Sequence, residues 1–405
     1  MKQVRTLKYL SAVLAVGLLA AACGSPSGDD AADAEAIVIK IGQVLPINSV
    51  QAALAKTQVI GAQIAVEEVN AAGGIDGKKI EMVVKDDKLE AARVGTVLRE
   101  LNDEGVKLTM GYQTSPECQA GAEAAVRLDQ VVLANHCASA LLVDPKPASE
   151  NFWMLSTSGL ETATAAGKYL AKDKPEVDTW DVFGYDADIT RSNWETMRPA
   201  MEEAGVKVRR NSEFWVPVDA TSYRSQLTKQ ISGLISTKEK RGLFMSTYGA
   251  GTTSYLKQAE PLGVLDEYSE IVTLGAFWQS AVSMNGTAPE IVNVHEYFAG
   301  CQDNPMDTAF IEAFEAETGT LPDAAAYQSY IGVKFYAAAI EKAGSADPKA
   351  VQKAFAGLSI DTPTGHKITM DGETHKAYSP LTVAHLVGDP AAKDGVKVIS
   401  CDVAE

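Results

Sequence analysis

At 405 residues the chain exceeds one typical domain, and its 46% apolar and 22% charged residues strike a globular balance that excludes disorder over most of the length. Acidic residues outnumber basic ones by 53 to 36, a formal charge of −17. Such a surface repels phosphate backbones and anionic lipid, so nucleic acid is excluded as a partner.

Lys2, Arg5 and Lys8 form a positive start, and the apolar run Leu10 to Ala22 follows. At about 1.5 Å per residue this run cannot cross a ~30 Å hydrocarbon core, so residues 1–22 read as a secretory signal. Removing it leaves 33 basic against 53 acidic residues, a net charge of −20. Leu19-Ala20-Ala21-Ala22-Cys23-Gly24 resembles a bacterial lipobox, with the leucine four rather than three places before the cysteine. The expectation is an extracytoplasmic lipoprotein anchored to the membrane by an acyl chain on Cys23; the alternative is plain secretion with Cys23 a spare thiol. Residues 24–36 lack core formers and read as a flexible tether. The other cysteines, Cys118, Cys137, Cys301 and Cys401, face an oxidising compartment and can pair in three ways. Pairing 118 with 137 joins neighbouring segments and leaves 301 with 401; buried free thiols are the alternative. With no C-x-x-C and five scattered histidines, no metal site and no cofactor is expected.

From residue 37 strand and helix patterns alternate. A β-rich run at 37–42 precedes a helical spacing over 51–72 that stops at Gly73-Gly74. Strand 80–84, a helix on Ala91, Val94, Leu98 and Leu101, strand 106–111, helix 117–129 and strand 131–134 continue the series. A second series starts after 156: helix 160–172, strand 179–183, helix 193–204, strand 207–214, helix 222–236, strand 242–247, helix 252–262 and strand 271–275. Helices at 306–318 and 324–343, a strand running into Asp371-Gly372, and strands 381–387 and 396–400 close the chain. Repeated βα units predict an α/β fold with parallel sheets covered on both faces, and two series predict two Rossmann-like lobes. Ligands of such sheets sit beyond the carboxyl ends of the strands, where loops and helix N-termini gather. The candidate loops are 44–50, 111–116, 135–140, 184–191, 247–252 and 276–280. No G-x-S-x-G, phosphate loop or zinc motif is present, so an enzyme is not expected.

The stretch Gly61 to Gly77, reading G-x-x-x-A-x-x-x-x-N-x-x-G-G-I-x-G, resembles the type I periplasmic solute-binding proteins, receptors of ABC importers for branched-chain amino acids, amides and related solutes. Thr362-Pro363-Thr364-Gly365, the following I-T-M-D-x-x-T-H and residues 337–358 resemble later segments of that family, so the likeness spans about 37–400. It implies an N-terminal lobe of 37–155 plus 295–360, a C-terminal lobe of 156–294 plus 361–405, and three chain crossings as a hinge. It further implies a monomer that closes on a small solute and delivers it to a membrane permease. A sensor lipoprotein of the same fold reporting to a signalling partner is the alternative.

Carried over residue by residue, the resemblance places ligand contacts at Thr114 and Ser115, and at Ala138 and Ser139. Hydroxyls there donate and accept as a carboxylate or polar head requires, although Ser and Thr also cap helices. Tyr248, followed by Gly249, matches an aromatic cover, and Tyr185 matches a tyrosine after the first strand of the second series. Where amino-acid receptors place an acid for the ligand ammonium, this chain has Ala276-Phe277-Trp278-Gln279. A buried ammonium without a partner costs several kcal/mol, which weakens an α-amino acid assignment and raises amides, urea-like solutes and carboxylic acids. Asp186 or Asp188 could supply the anion, or be solvated loop charges. Phe277 and Trp278 suit a planar or apolar ligand, or the core.

Overall fold

The computed structural model describes residues 38–234, 240–275 and 277–404. The signal segment, Cys23 and the tether lie outside the described residues, as does Ala276. In the first series β1 (Val38–Leu45), α1 (Ala52–Ala71), β2 (Lys79–Asp86), α2 (Ala91–Asp103), β3 (Leu108–Gly111), α3 (Ser115–Leu128), β4 (Val131–Ala134) and β5 (Phe152–Met154) follow one another. Their strands make a five-stranded parallel sheet in the order β2-β1-β3-β4-β5.

The second series comprises α4 (Gly159–Asp173), β6 (Thr179–Tyr185), α5 (Asp188–Glu203), β7 (Arg209–Val216), α6 (Arg224–Leu234), β8 (Arg241–Ser246), α7 (Ala250–Ala259), β9 (Glu270–Leu274), α8 (Trp278–Val282) and β10 (Ile291–His295). The chain then forms α9 (Pro305–Thr318), α10 (Ala324–Ala343), α11 (Pro348–Phe355), β11 (Ser359–Asp361), β12 (Lys367–Met370), β13 (Ala377–Tyr378), β14 (Leu381–Gly388) and β15 (Val396–Ala404). The second sheet has seven strands in the order β15-β14-β10-β9-β8-β6-β7, and β14 and β15 run antiparallel at one edge.

Helices cover both faces of each sheet, giving four apolar layers. Buried residues of α1, α9 and α10 fill one side of the first sheet, and those of α2 and α3 the other. In the second sheet α6, α7 and α8 fill one side, and α4 and α5 the other. Two strands of the large sheets were not visible in the sequence pattern, nor were β11 and β13 of the small one. β5 has only three residues, and β10 (IVNVH) carries Asn293, whose amide donates to the carbonyls of Thr273 and Gly275 at 3.0 and 3.2 Å.

The family-like stretch of α1 has a physical reading. Gly61 lies against α10, where a Cβ would fall inside the Ala326 carbonyl. Asn70 fastens the end of α1 to β2: its amide donates to the Ile80 carbonyl at 2.9 Å and its Oδ1 accepts from the Ile80 N–H at 2.8 Å. Gly74 sits at φ 75°, and a side chain there would meet the Lys78 carbonyl across the Ile75–Lys78 turn.

One expected boundary moves. Residues from 361 onward do not pass directly to the second lobe: β11, β12 and β13 form a small separate sheet, and Ile368, Met370 and Ala377 are buried in the first core with Val351 and Phe355. The reason is the alternation in Lys367-Ile368-Thr369-Met370, which turns Ile368 and Met370 inward. Trp153 of β5 stacks on His375 at 3.7 Å between ring centroids and holds this sheet in place. The chain therefore crosses between the two sheets at 155–158, at 296–299 and at 379–380.

Replacing Gly61 by Val should separate α1 from α10 and destabilise the protein by about 3 kcal/mol or more. Gly95 in α2 is the contrast, since the nearest atom to an added Cβ is the Ala124 Cβ at 3.9 Å. Gly95→Ala should stabilise by about 0.5–1 kcal/mol. Urea unfolding midpoints check both, and equal effects would contradict the close approach.

Candidate ligand-binding site

The carboxyl ends of the parallel strands carry three groups of candidate residues. The first is on the first sheet. Thr114 precedes α3 and Ser115 opens it, and the Glu117 carboxylate folds back to accept the N–H groups of Gln113 and Thr114 at 3.1 and 2.8 Å. The Ser115 hydroxyl accepts the Ser139 N–H at 3.2 Å, which joins the two hydroxyl-bearing loops. A disulfide between Cys118 and Cys137 ties the same loops, with Cα atoms 6.6 Å apart. Ala138 is exposed and its carbonyl accepts the Gly159 N–H at 2.8 Å, so this loop also touches the start of α4.

The second group is on the second sheet. Tyr185 ends β6 and Tyr248 follows β8, and their rings meet edge to face at 4.9 Å. Tyr185 is buried, whereas Tyr248 is 44% exposed. Gly251 leaves room for the Tyr185 hydroxyl, which a Cβ would strike. Asp186 pairs with Arg191 at 2.8 Å on the surface, and Asp188 is exposed in the first turn of α5, as solvated loop charges.

The third group lies between the sheets. Phe277 and Trp278 belong to the second core yet line a recess shared with His295, Tyr297 and Asp323. None of Thr114, Ser115, Ala138, Ser139, Tyr185 or Tyr248 is among the described residues lining it. The carboxamide of Gln279 donates to Asp323 Oδ2 at 3.0 Å.

Sequence reasoning missed the polar floor beneath these groups. His136 Nδ1 and Gln328 Oε1 are 2.6 Å apart, and Gln328 Nε2 donates to Glu296 Oε2 at 2.5 Å. The other Glu296 oxygen accepts the Thr157 N–H, so two crossings are braced through one buried carboxylate. Burial pushes Glu296 up and His136 down, and it lowers His295 to about 4, which keeps both imidazoles neutral at pH 7. Gln58 Nε2 donates to Gln113 Oε1 at 2.8 Å under the first loop. The residues are distant in sequence, and only His136, next to Cys137, carried a positional hint.

Two lobes, each a doubly wound sheet, joined by three crossings around a shared recess define a two-lobed binding protein. The model of the periplasmic binding protein family matches residues 38–393, and the chain belongs to that family, whose members are solute-binding proteins of ABC transporters and not enzymes. The family name implies a place outside the cytoplasm, and no described helix is long and apolar enough to cross a membrane. The leucine-, isoleucine-, valine-, threonine-, and alanine-binding protein of Pseudomonas aeruginosa is 26% identical over 338 residues, covering 81% of this chain and 84% of its own. A branched-chain amino acid transporter substrate-binding protein of Streptococcus pneumoniae, solved with isoleucine, superposes with a TM-score of 0.76 at 21% identity over 90% of this chain and 99% of its own. A solute-binding protein of Rhodopseudomonas palustris, solved with 3,4-dihydroxybenzoic acid, gives 0.77 at 18% identity over 91% and 98%.

Two buried acids sit close to the first hydroxyl loop. Burial pushes Asp87 up to about 6, and burial, reinforced by the charge of Asp87, pushes Glu117 up to about 7. A folded-state pKa above the unfolded one means the folded chain holds the proton more tightly. The associated stability is present below the ordinary glutamate value of 4.5 and is lost as pH rises through about 7. Glu117→Gln should flatten the fall in stability across this window, as read from urea midpoints at a series of pH values. An unchanged slope would contradict the burial of Glu117 as an acid.

Proposed function

We propose that this chain is an extracytoplasmic solute-binding lipoprotein that captures a small polar solute by closing its two lobes and hands it to an ABC permease. The observation that carries the reading is the recess to which both lobes contribute, Phe277, Trp278 and Gln279 from one and Asp323 from the other. A ligand held there touches both bodies, so its binding energy favours the closed arrangement. The first lobe would receive a carboxylate or other polar head with Thr114, Ser115, Ala138 and Ser139, beside the N-terminus of the 14-residue helix α3. Tyr185 and Tyr248 would form the facing wall, with Phe277 and Trp278 against the apolar part of the solute. The named ligands of the similar proteins, aliphatic amino acids and an aromatic acid, support a small carboxylate-bearing solute. No covalent chemistry is needed, and the protein would act as a monomer on a lipid anchor at Cys23.

A thermal-shift screen over amino acids, amides, ureas and aromatic acids should find a solute that raises the melting temperature, because a ligand of the folded state stabilises it by mass action. For that solute Ser139→Ala should weaken binding by about 1–3 kcal/mol by calorimetry, the cost of a lost buried hydrogen bond. Unchanged affinity would remove Ser139 from the site. Detergent-phase partitioning should vanish on Cys23→Ala, and partitioning that persists would remove the lipid anchor.

A further inference from the structure

Two buried acids stand behind the first hydroxyl loop and hold no contact assigned to the solute. Asp87 follows β2 and Glu117 lies in the first turn of α3, and they are 0% and 1% exposed. Each is only half used as an acceptor. Asp87 Oδ1 accepts the Leu89 N–H at 3.0 Å, and Glu117 Oε2 accepts the N–H groups of Gln113 and Thr114. Asp87 Oδ2 and Glu117 Oε1 are buried without a hydrogen-bond partner. A buried carboxylate normally fills such a position with a donor, and an empty one is where a carboxyl proton can sit. The backbone beside both acids is strained: Lys88 and Leu89 hold φ at 59° and 64°, and Tyr112, next to Gln113, holds 65°. Non-glycine residues in this region carry a cost that the surrounding structure must offset, and they cluster where a site is built.

The two acids act on one another. Burial comes first and the charge of Asp87 second in holding the proton on Glu117. The other groups facing the pair are Asp86, a further negative charge beside Asp87, Arg93 of α2, the cation that opposes it, and Tyr112, which burial keeps protonated with its hydroxyl 2.9 Å from that of Thr109. Two carboxyls in this setting ionise together only at high cost, so they titrate as a unit. The start of α3 is also short of donors. Pro116 has no N–H, and Glu117 already takes those of Gln113 and Thr114. A solute carboxylate at Thr114 and Ser115 would bring a second anion to the helix start that Glu117 occupies, and like charge there favours the acid form of Glu117.

We infer that Glu117, together with Asp87, is a proton-binding site coupled to solute capture, so that an anionic head enters the first lobe with a proton and a neutral amide head enters without one. This rests on the solute-capture reading above, with the first-lobe loops as its anion end. The proton comes from solvent to the unpartnered oxygens, Glu117 Oε1 and Asp87 Oδ2, while Glu117 Oε2 keeps its two N–H groups. The free protein loses this proton as pH rises through about 7, whereas the loaded protein would keep it to higher pH. Affinity for a carboxylate should therefore be level below about pH 6 and about 10-fold weaker by about pH 8.

The experiment is titration calorimetry of the purified protein between about pH 6 and pH 8, in two buffers of different ionisation enthalpy, which reads affinity and proton number together. The probes are leucine and benzoate, with any other amino or carboxylic acid that the thermal-shift screen finds, and benzamide as the neutral head. A bound carboxylate should take up at least about 0.5 proton near pH 8, and benzamide none. Glu117→Gln keeps an oxygen for the Gln113 and Thr114 N–H groups but cannot titrate, so it should abolish both the uptake and the pH dependence. Asp87→Asn keeps an acceptor for the Leu89 N–H and removes the like charge. It should move the fall in affinity to lower pH, which a purely structural role of either acid would not do. Carboxylate binding without proton uptake overturns the coupling and leaves solute capture standing. So does uptake that survives Glu117→Gln, or a parent that binds amides or ureas but no amino or carboxylic acid. A parent that binds no solute of the screen overturns both.

Discussion

The contact between α1 and α10 governs the rest of the molecule. Gly61 lets the two helices approach until backbone meets backbone at Ala326, and Glu68 then accepts the Tyr330 hydroxyl at 2.6 Å and the Lys334 ammonium at 2.9 Å. Because α10 lies more than 250 residues downstream of α1, closing this contact obliges the chain to leave the first lobe, build the second and return. The crossings follow from that topology. So does the position of Asp323, which lies one turn before Ala326 and is thereby set beside Thr57 of α1, facing the other lobe.

The alternation of apolar strands and amphipathic helices made both sheets legible in the sequence, and the Gly61 to Gly77 stretch carried its own physical explanation in Gly61, Asn70 and Gly74. What escaped depends on contacts that sequence spacing does not encode. β5 is too short to give a period, and β10 interrupts its apolar run with Asn293 and His295. Residues 361–378 read as part of the second lobe because they follow the returning helices, yet Ile368 and Met370 find their apolar partners in the first core. The loop after β9 was correctly read as lacking an acid. That one arrives there from α10 is a fact of tertiary packing, visible beforehand only as a helix-capping aspartate ahead of Ala324.

The buried layer between the crossings is polar. His136 and His295 are held neutral by burial, and the amides of Gln58, Gln113 and Gln328 relay hydrogen bonds instead of ions. In a low-dielectric setting such dipoles are strong when satisfied, and Asp323 is the one acid among the described residues lining the recess.

The fastening of the lobes limits how they can move on the proposed closure. In the first lobe the Cys118–Cys137 bond, together with the Ser156 hydroxyl that joins both the N–H and the carbonyl of Cys137, locks the hydroxyl loops to the first crossing. The second bond, Cys301–Cys401, ties the segment after the second crossing to β15, only three residues before Asn304 caps α9 in the other lobe. Two further links reach across from the turn between β14 and β15: Asp394 accepts the Leu321 N–H at 2.7 Å and Lys393 pairs with Glu315 at 2.6 Å. The ion pair is part-exposed and contributes little by itself, but the covalent bond three residues from α9 is not extensible. The proposed closure would therefore turn about the crossings while these links hold the 301–321 side.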